Sequence, residues 1–145
     1  VPSKQDIQIA AKWLQSTDDV SFILQGQNIA AVPAVWHHTI QYLMQELKVR
    51  YAGTELGTIA KNDLLPEHAL ALSTIINQNI LSVELNEEQA LTYLRKNELQ
   101  LDVSHKGWAL ATYKGMNLGW MKLLGNRINN YYPKEWRILK AATTP

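Results

Sequence analysis

The sequence predicts an α+β fold, in which short strands alternate with amphipathic helices. Two observations lead to this prediction. Apolar residues recur at helical spacing in several stretches, and short β-branched or aromatic runs lie between turns rich in glycine, asparagine and proline. With 145 residues, of which 46% are hydrophobic and 19% charged, the chain can form one domain or two small units that share a core.

The first elements follow from capping and periodicity. Ser3, with Asp6 three residues later, has the spacing of a helix-capping pair, and apolar residues then share one helical face over residues 4–15. A strand over 20–25, a turn at 26–28 and a partner strand over 29–32 are expected next. Pro33 is expected as the first residue of a second helix, where its missing N–H costs nothing.

The sequence pattern in the middle of the chain predicts further strands, followed by a segment that connects two domains. Strands are expected over 49–52 and 56–60, and Pro66 is expected to open a short helix. Residues 62–73 connect this part to the rest. We therefore predict a small α+β unit over residues 1–73 and a second domain over residues 74–145. Residues 74–83 read equally as a connector or a strand.

The second half predicts one helix and one hairpin. Asn86 is an N-cap, and Glu87 and Glu88 complement the helix dipole in the first turn. A polar loop over 97–104 leads to strands over 108–113 and 118–124, joined by a glycine-containing turn. Gly119 suggests a bulge in the second strand. Pro133 favours a loop over residues 129–133.

Charge is distributed unevenly along the chain. Residues 1–73 carry a net charge of −2 and the remainder carries +3. From Lys106 onward there are seven positive side chains and one negative one, with tryptophan and tyrosine residues between them. Any one of these aromatic residues is more simply explained as core, and we expect Trp108 and Trp120 to be largely buried. The cluster as a whole favours RNA, because cations meet phosphates and flat rings stack on bases.

The candidate RNA-binding residues are cations, amides and tyrosines of this C-terminal stretch. They are Lys114, Lys122, Arg127, Asn129, Asn130, Tyr131, Tyr132, Lys134 and Arg137. Tyr131 and Tyr132 are expected to be partly exposed.

Other functional classes find less support in the sequence. The absence of cysteine excludes disulfides, thiolate metal sites and cysteine nucleophiles. Adjacent His37 and His38 project about 100° apart on a helix, so we assign no metal. Ser104 and His105 would point to opposite faces of a strand, and no catalytic residue is assigned. No apolar run approaches the ~20 residues that span a membrane. A protein-interaction module that uses an aromatic surface is the alternative, and weak salt dependence of binding would distinguish it from an RNA binder.

A longer pattern at the C-terminal end is distinctive. Residues 118–122 read Leu-Gly-Trp-Met-Lys, and residues 125–138 include Asn-Arg-Ile-Asn-Asn-Tyr-Tyr-Pro-Lys-Glu-Trp-Arg. This stretch resembles the C-terminal end of bacterial ribosomal-RNA cytosine-5 methyltransferases of the RsmF type, within the Nop/Sun family. The resemblance extends upstream through residues 68–73 and 85–95. It implies that residues 74–145 form a PUA-like, mostly-β pseudo-barrel, preceded by the small α+β unit.

The resemblance also implies a division of labour in a larger protein. The family uses cysteine chemistry in a Rossmann-like domain, and this chain has neither a cysteine nor a glycine-rich nucleotide loop. We therefore expect this chain to be no enzyme by itself, but an RNA-binding part that positions small-subunit ribosomal RNA for an absent catalytic domain. S-adenosylmethionine is expected in that domain and no cofactor here. The expected partners are ribosomal RNA, or the small ribosomal subunit, and the catalytic domain of the same polypeptide. We expect the protein to be a cytoplasmic monomer that does not contact a membrane.

Overall fold

The computed structural model describes residues 1–140, which divide into two compact units. The α+β class is confirmed, since helices accompany two four-stranded sheets. The division falls between Gln78 and Asn79, rather than after residue 73 as predicted. Residues 74–78 stay with the first unit because their backbone forms hydrogen bonds with the segment that follows its first helix. The Gln15 N–H donates to the Ile75 carbonyl at 3.0 Å, and the Asn77 N–H donates to the Trp13 carbonyl at 2.9 Å.

The first unit contains one antiparallel sheet with strand order β1-β2-β3-β4, together with three helices. Its elements are α1 (Lys4–Ala11), β1 (Val20–Gln25), β2 (Asn28–Pro33), α2 (His37–Glu46), β3 (Thr54–Ala60), β4 (Asp63–Pro66) and α3 (His68–Leu72). The Ser3 hydroxyl accepts from the Asp6 N–H at 3.1 Å, so the predicted N-cap is present.

Several predictions for the first unit are wrong in detail. The first helix ends at Ala11 rather than at residue 15, and Pro66 ends β4 instead of opening a helix, because α3 begins only at His68. Pro33 ends β2 instead of opening a helix, and a 3-10 turn over Ala34–Trp36 precedes α2. The predicted strand over 49–52 is irregular, and β3 begins only at Thr54. Gly53 explains this start. Its φ is +71°, and an added Cβ would lie 2.2 Å from the Ala31 carbonyl oxygen, so the chain enters the sheet through a close approach that requires glycine.

The second unit contains a four-stranded sheet with order β5-β6-β7-β8, in which β5 and β6 are parallel and the other pairs antiparallel. Its elements are β5 (Ser82–Glu84), α4 (Glu87–Leu94), β6 (Gly107–Tyr113), β7 (Met116–Leu123) and β8 (Ile128–Asn130), followed by a 3-10 turn over Lys134–Trp136. This composition agrees with a PUA-like domain. Among residues 79–140 the strands form an open sheet, without the closure of a barrel.

The predicted hairpin is confirmed, and its turn is tighter than expected. Lys114 and Gly115 alone connect β6 to β7, with φ angles of +49° and +76°. Two consecutive left-handed residues make a type I′ turn, whose twist matches that of the strands. The register shifts where Ala111 and Thr112 face Gly119 and Asn117, which leaves Leu118 as the extra residue of a bulge.

The core of the second unit lies between α4 and one face of the sheet. Ala109 and Ala111 of β6 alternate inward with Met121 and Leu123 of β7, and all four are buried. Leu85, Ala90, Tyr93 and Leu99 complete this cluster from the helix and its flanking loops. The N-terminus of α4 is held by a reciprocal capping box between Asn86 and Gln89, which confirms Asn86 as N-cap.

One element of the second unit corrects the sequence prediction for residues 129–133. Asn129 and Asn130 belong to strand β8, so the loop is limited to residues 131–133. The strand pairs with β7 through the register Met121–Asn130, Lys122–Asn129 and Leu123–Ile128. Backbone hydrogen bonds at both ends, Leu124 to Arg127 at 2.9 Å and Tyr131 to Trp120 at 3.1 Å, extend this pairing beyond the strand.

The carboxylate of Glu84 holds the hairpin turn. It accepts the Thr112 hydroxyl at 2.6 Å and the Gly115 N–H at 3.3 Å. The Thr112 hydrogen bond is the main reason that the pKa of Glu84 lies below its ordinary value of 4.5. A lowered folded-state pKa means that the stabilisation is present above the unfolded pKa and is lost as the pH falls through the folded one.

We predict that Glu84→Gln lowers the melting temperature at about pH 7 and that the difference from the parent shrinks at about pH 3. The physical reason is that the Glu84 carboxylate of the parent becomes protonated at low pH, so its advantage over the neutral amide of the variant is lost. Thermal melts of both proteins at the two pH values measure this. Asp102→Asn, which alters an exposed loop carboxylate, is the control. An equal difference at both pH values would show that the charge of Glu84 does not hold the turn.

Candidate RNA interface

The sheet face opposite the α4 core carries several of the predicted RNA-binding residues. Trp108 pairs with Lys122 across β6 and β7, and Lys122 pairs with Asn129 across β7 and β8, so the three side chains share this face. Strand alternation places Arg127 and Tyr131 on the same face, on either side of Asn129. We call these five residues, Trp108, Lys122, Arg127, Asn129 and Tyr131, the Trp108 face.

Trp108 is the centre of this face. Its ring meets the Tyr131 ring edge-on at a centroid distance of 4.6 Å and the Trp120 ring at 6.3 Å. The Lys122 ammonium lies 5.1 Å from its ring centroid, within cation–π range. Trp120 is 1% exposed and Tyr131 is 38% exposed, so the cluster runs from the interior to the surface. Trp120 is therefore core as expected, whereas Trp108 is only half-buried.

Two cations lie at the turn between β7 and β8: Arg127, which belongs to the Trp108 face, and Lys106. Arg127 is exposed at the end of this turn. The Lys106 side chain lies against Gly125 in the same turn, with Cε 3.0 Å from the position that a Cβ would take. Lys106 and Trp108 were not among the predicted site residues. The pairing of Trp108 with Lys122 in a hairpin is the signal that could have found Trp108.

Asn130 faces the other way and has a structural role. Its amide nitrogen donates to the carbonyls of Tyr93 at 2.9 Å and Asn97 at 3.1 Å, and its amide oxygen accepts the Tyr132 N–H at 2.9 Å. The Tyr93 carbonyl at the C-terminal end of α4 also accepts the Lys96 N–H, and the Asn97 carbonyl lies just beyond the helix. The side chain is therefore committed to joining β8 to α4.

Lys96 makes the second connection between α4 and this segment. Its ammonium donates to the carbonyls of Asn130 at 2.9 Å and Tyr132 at 2.8 Å. Burial lowers the pKa of Lys96 from its ordinary value, and the nearby Glu135 carboxylate opposes this effect. We call the two side chains, Lys96 and Asn130, the Lys96–Asn130 clamp.

Tyr132, two residues after Asn130, points toward the core of the second unit. It is half-buried, packs against the core cluster, and meets the Tyr93 ring edge-on at 5.5 Å. Tyr93 itself is fully buried and donates its hydroxyl to the Trp120 carbonyl at 2.8 Å. Tyr132 is thus less available to a ligand than Tyr131.

The remaining predicted residues lie away from the Trp108 face. Lys114 is exposed at the hairpin turn, at the opposite end of the β6–β7 ladder from the Trp108–Lys122 pair, with its ammonium 5.4 Å from the Tyr113 ring centroid. Lys134 and Arg137 line an open depression together with Glu135 and Leu139. The structure therefore brings Lys122, Arg127, Asn129 and Tyr131 together, but not all nine.

An open groove of about 540 Å³ runs along the outer side of β8. Lys96, Asn97 and Glu98 form one wall, and residues 127–131 form the other. Arg127, Asn129 and Tyr131 thus belong both to the Trp108 face and to this feature, which we call the β8 groove.

Within residues 1–140, no three histidine, aspartate or glutamate side chains come close enough together to hold a metal ion. The helices in the same part of the chain are all too short or too polar to cross a membrane.

The two asparagines of β8 allow a matched test of which residues are structural and which belong to the Trp108 face. We predict that Asn130→Ala lowers the free energy of unfolding by about 1–3 kcal/mol, because the three hydrogen bonds of the Asn130 side chain are lost. Asn129→Ala should change it by less than about 0.5 kcal/mol, since its side chain lies on the open face. Urea denaturation measures both. Similar losses for the two variants would contradict the assignment of Asn130 as the structural residue.

Comparison with known proteins shows what this chain is similar to. Residues 80–138 match the family model described as the methyltransferase RsmF PUA domain. Curated relatives carry the name ribosomal RNA small subunit methyltransferase F. The protein from Aliivibrio fischeri is 28% identical over 139 residues, which is 92% of this chain and 28% of that protein. The protein from Photobacterium profundum is 23% identical over 133 residues, covering 90% and 28%.

A third relative, from Shewanella oneidensis, is 29% identical over 92 residues, or 62% of this chain and 19% of the relative. The chain thus spans about 28% of the length of the relatives that it matches along most of its own length. The family model begins at residue 80, next to the structural division after Gln78. Residues 80–138 are similar to the RsmF PUA domain family, and the chain as a whole is similar to a fragment of ribosomal RNA small subunit methyltransferase F.

Proposed function

We propose that this chain is the RNA-binding part of a ribosomal-RNA cytosine-5 methyltransferase and that it binds RNA through the Trp108 face. The observation that carries the proposal is the position of Trp108 between the Lys122 ammonium and the partly exposed Tyr131 ring. The match of residues 80–138 to the RsmF PUA domain model supports an RNA-binding role.

The chemistry of the face suits RNA in two ways. Lys122 against Trp108, Arg127 at the end of the β7–β8 turn and Lys106 against Gly125 supply positive charge, and each cation that meets a phosphate adds sequence-independent affinity. The Tyr131 ring is held at a fixed angle by Trp108, so a base that stacks on it meets a surface that needs no further ordering. Base–aromatic stacking is worth about 1–3 kcal/mol per base.

In the longer protein, the module would bring small-subunit ribosomal RNA to a catalytic domain elsewhere in the same polypeptide. The printed names of the relatives, and the share of their length that this chain leaves unmatched, support this part of the proposal. We also propose that the protein is a monomer and that it is cytoplasmic.

We also propose that S-adenosylmethionine binds in that other domain and that this chain transfers no methyl group by itself. The chain lacks the cysteine that the family's chemistry uses. Calorimetric titration of the chain with S-adenosylmethionine should give no binding isotherm up to about millimolar concentration. A clear isotherm in the micromolar range would contradict this part of the proposal.

A protein-interaction role remains the second candidate, and one observation in the first unit favours it. The segment around α2 exposes several large apolar side chains, and α2 itself has no buried residue. Val35 is 82% exposed, Trp36 55% and Tyr51 76%. Aromatic residues in this state are typical of interface hot spots. The two candidates use different units, and salt dependence distinguishes them.

The RNA proposal predicts a defined loss for one charge. Lys122→Gln should weaken binding to a small-subunit ribosomal RNA fragment and reduce the slope of log K against log salt by about 0.7–0.9, because one phosphate contact is lost. Fluorescence anisotropy over a range of salt concentrations measures the slope. Glutamine keeps most of the aliphatic stem over Trp108, and thermal melts verify that the variant stays folded.

Lys4→Ala is the matched control, because Lys4 is an exposed cation at the start of α1 in the first unit. It should leave both the affinity and the slope unchanged. An unchanged slope for Lys122→Gln in a folded protein would remove the Trp108 face from the RNA site.

A further inference from the structure

The outer edge of β8 presents backbone groups to the β8 groove. The backbone carbonyl of Arg127 and the backbone N–H of Tyr131 form hydrogen bonds with the β7 side of the sheet. The strand register indicates that the backbone groups of Asn129, which lies between these two residues, also point toward β7. Because the N–H and C=O groups of successive residues point to opposite sides of a strand, those of Ile128 and Asn130 point away from β7. They therefore face the groove that these residues line.

A peptide strand is a poor occupant for this edge. The strand is only three residues long, and the Asn130 carbonyl already accepts the Lys96 ammonium at 2.9 Å. A lysine at the edge of a sheet is one of the features that block strand addition. The groups that stay available are the N–H and C=O of Ile128 and the N–H of Asn130.

The rest of the groove offers charge and a ring. Arg127 is exposed, and the Lys96 ammonium has three N–H donors, of which two are used by carbonyls. Glu98 is the one carboxylate among the residues that line the groove. Tyr131, 38% exposed, borders the groove and also touches Trp108. The volume of about 540 Å³ is within the range that accommodates small organic ligands.

We propose that the β8 groove holds one unpaired nucleotide of the RNA that the Trp108 face binds. The phosphate lies against Arg127 and Lys96, the base stacks against Tyr131, and the base edge meets the backbone groups of Ile128. This inference rests on the proposed function and adds a substrate class to it. The protein selects single-stranded RNA, because in a duplex the bases are stacked and their pairing edges are occupied.

The test uses the whole chain, labelled with ¹⁵N, and two probes. One probe is an unstructured oligouridylate, and the other is an RNA duplex of equal length. The backbone amide signals of Ile128 and Asn130 should shift with oligouridylate and stay unchanged with the duplex. These amides report the groove directly, because neither N–H takes part in the pairing with β7.

Variants separate the groove from the face. Arg127→Gln should weaken oligouridylate binding about three- to tenfold and duplex binding by less than this, because Arg127 belongs both to the β8 groove and to the Trp108 face. Lys122→Gln should weaken both, and Lys4→Ala neither. Thermal melts of each variant establish that it is folded.

Each alternative result has a definite meaning. Equal shifts of the two amides with both probes, or none with oligouridylate while the Trp108 indole signal moves, would overturn the nucleotide site and leave the proposed function standing. If neither oligouridylate nor the duplex bound, both proposals would be overturned. Amide shifts produced by an extended peptide but not by oligouridylate would identify the groove as a strand-addition site instead.

Discussion

The Lys96–Asn130 clamp is the interaction on which the candidate site depends. Without it, β8 would be a three-residue edge strand that leads into an irregular segment, and a strand of that length adds little stability by itself. The clamp joins β8 and the next two residues to the C-terminal end of α4 and to the loop that follows it. Lys96 adopts a left-handed φ of +58°, a conformation in which glycine would be less strained. Glycine, however, would supply no ammonium to bond the Asn130 and Tyr132 carbonyls.

Because side chains alternate between the two faces of a strand, neighbouring residues of β7 and β8 have different roles. Asn130 points to α4 and holds the structure, while Asn129 and Tyr131 point to the open face. On β7 the same rule buries Met121 in the core and presents Lys122 beside Trp108. A register shift of one residue would bury the cation and expose the core. The bulge at Leu118 and the type I′ turn at Lys114-Gly115 maintain the register of this hairpin, and Glu84 holds that turn.

The Trp108 face and the β8 groove contribute in different ways to RNA recognition. Charges on the face act over distances up to a Debye length and do not depend on sequence. The groove instead offers fixed backbone donors and acceptors next to a ring whose orientation is set by Trp108. Tyr131 belongs to both, so affinity and selection for unpaired RNA are coupled at one side chain. The edge-to-face contacts of Trp108 with Tyr131 and Trp120 each contribute about 0.5–1.5 kcal/mol beyond burial and keep this ring in place.

The sequence by itself determined the α+β class, the capped helix at Asn86, the hairpin and its bulge, and the basic, aromatic character of the C-terminal stretch, because these follow from periodicity, turn chemistry and composition. Only the tertiary structure decided which of the nine predicted residues converge. Asn129 and Asn130 are identical in type and adjacent, and strand pairing alone gives them opposite roles. Residues 74–78 joined the first unit through backbone bonds to residues more than fifty positions earlier, which local patterns do not encode. Trp108 became the centre of the face because its cross-strand partner is Lys122, a long-range pairing that sequence spacing does not reveal.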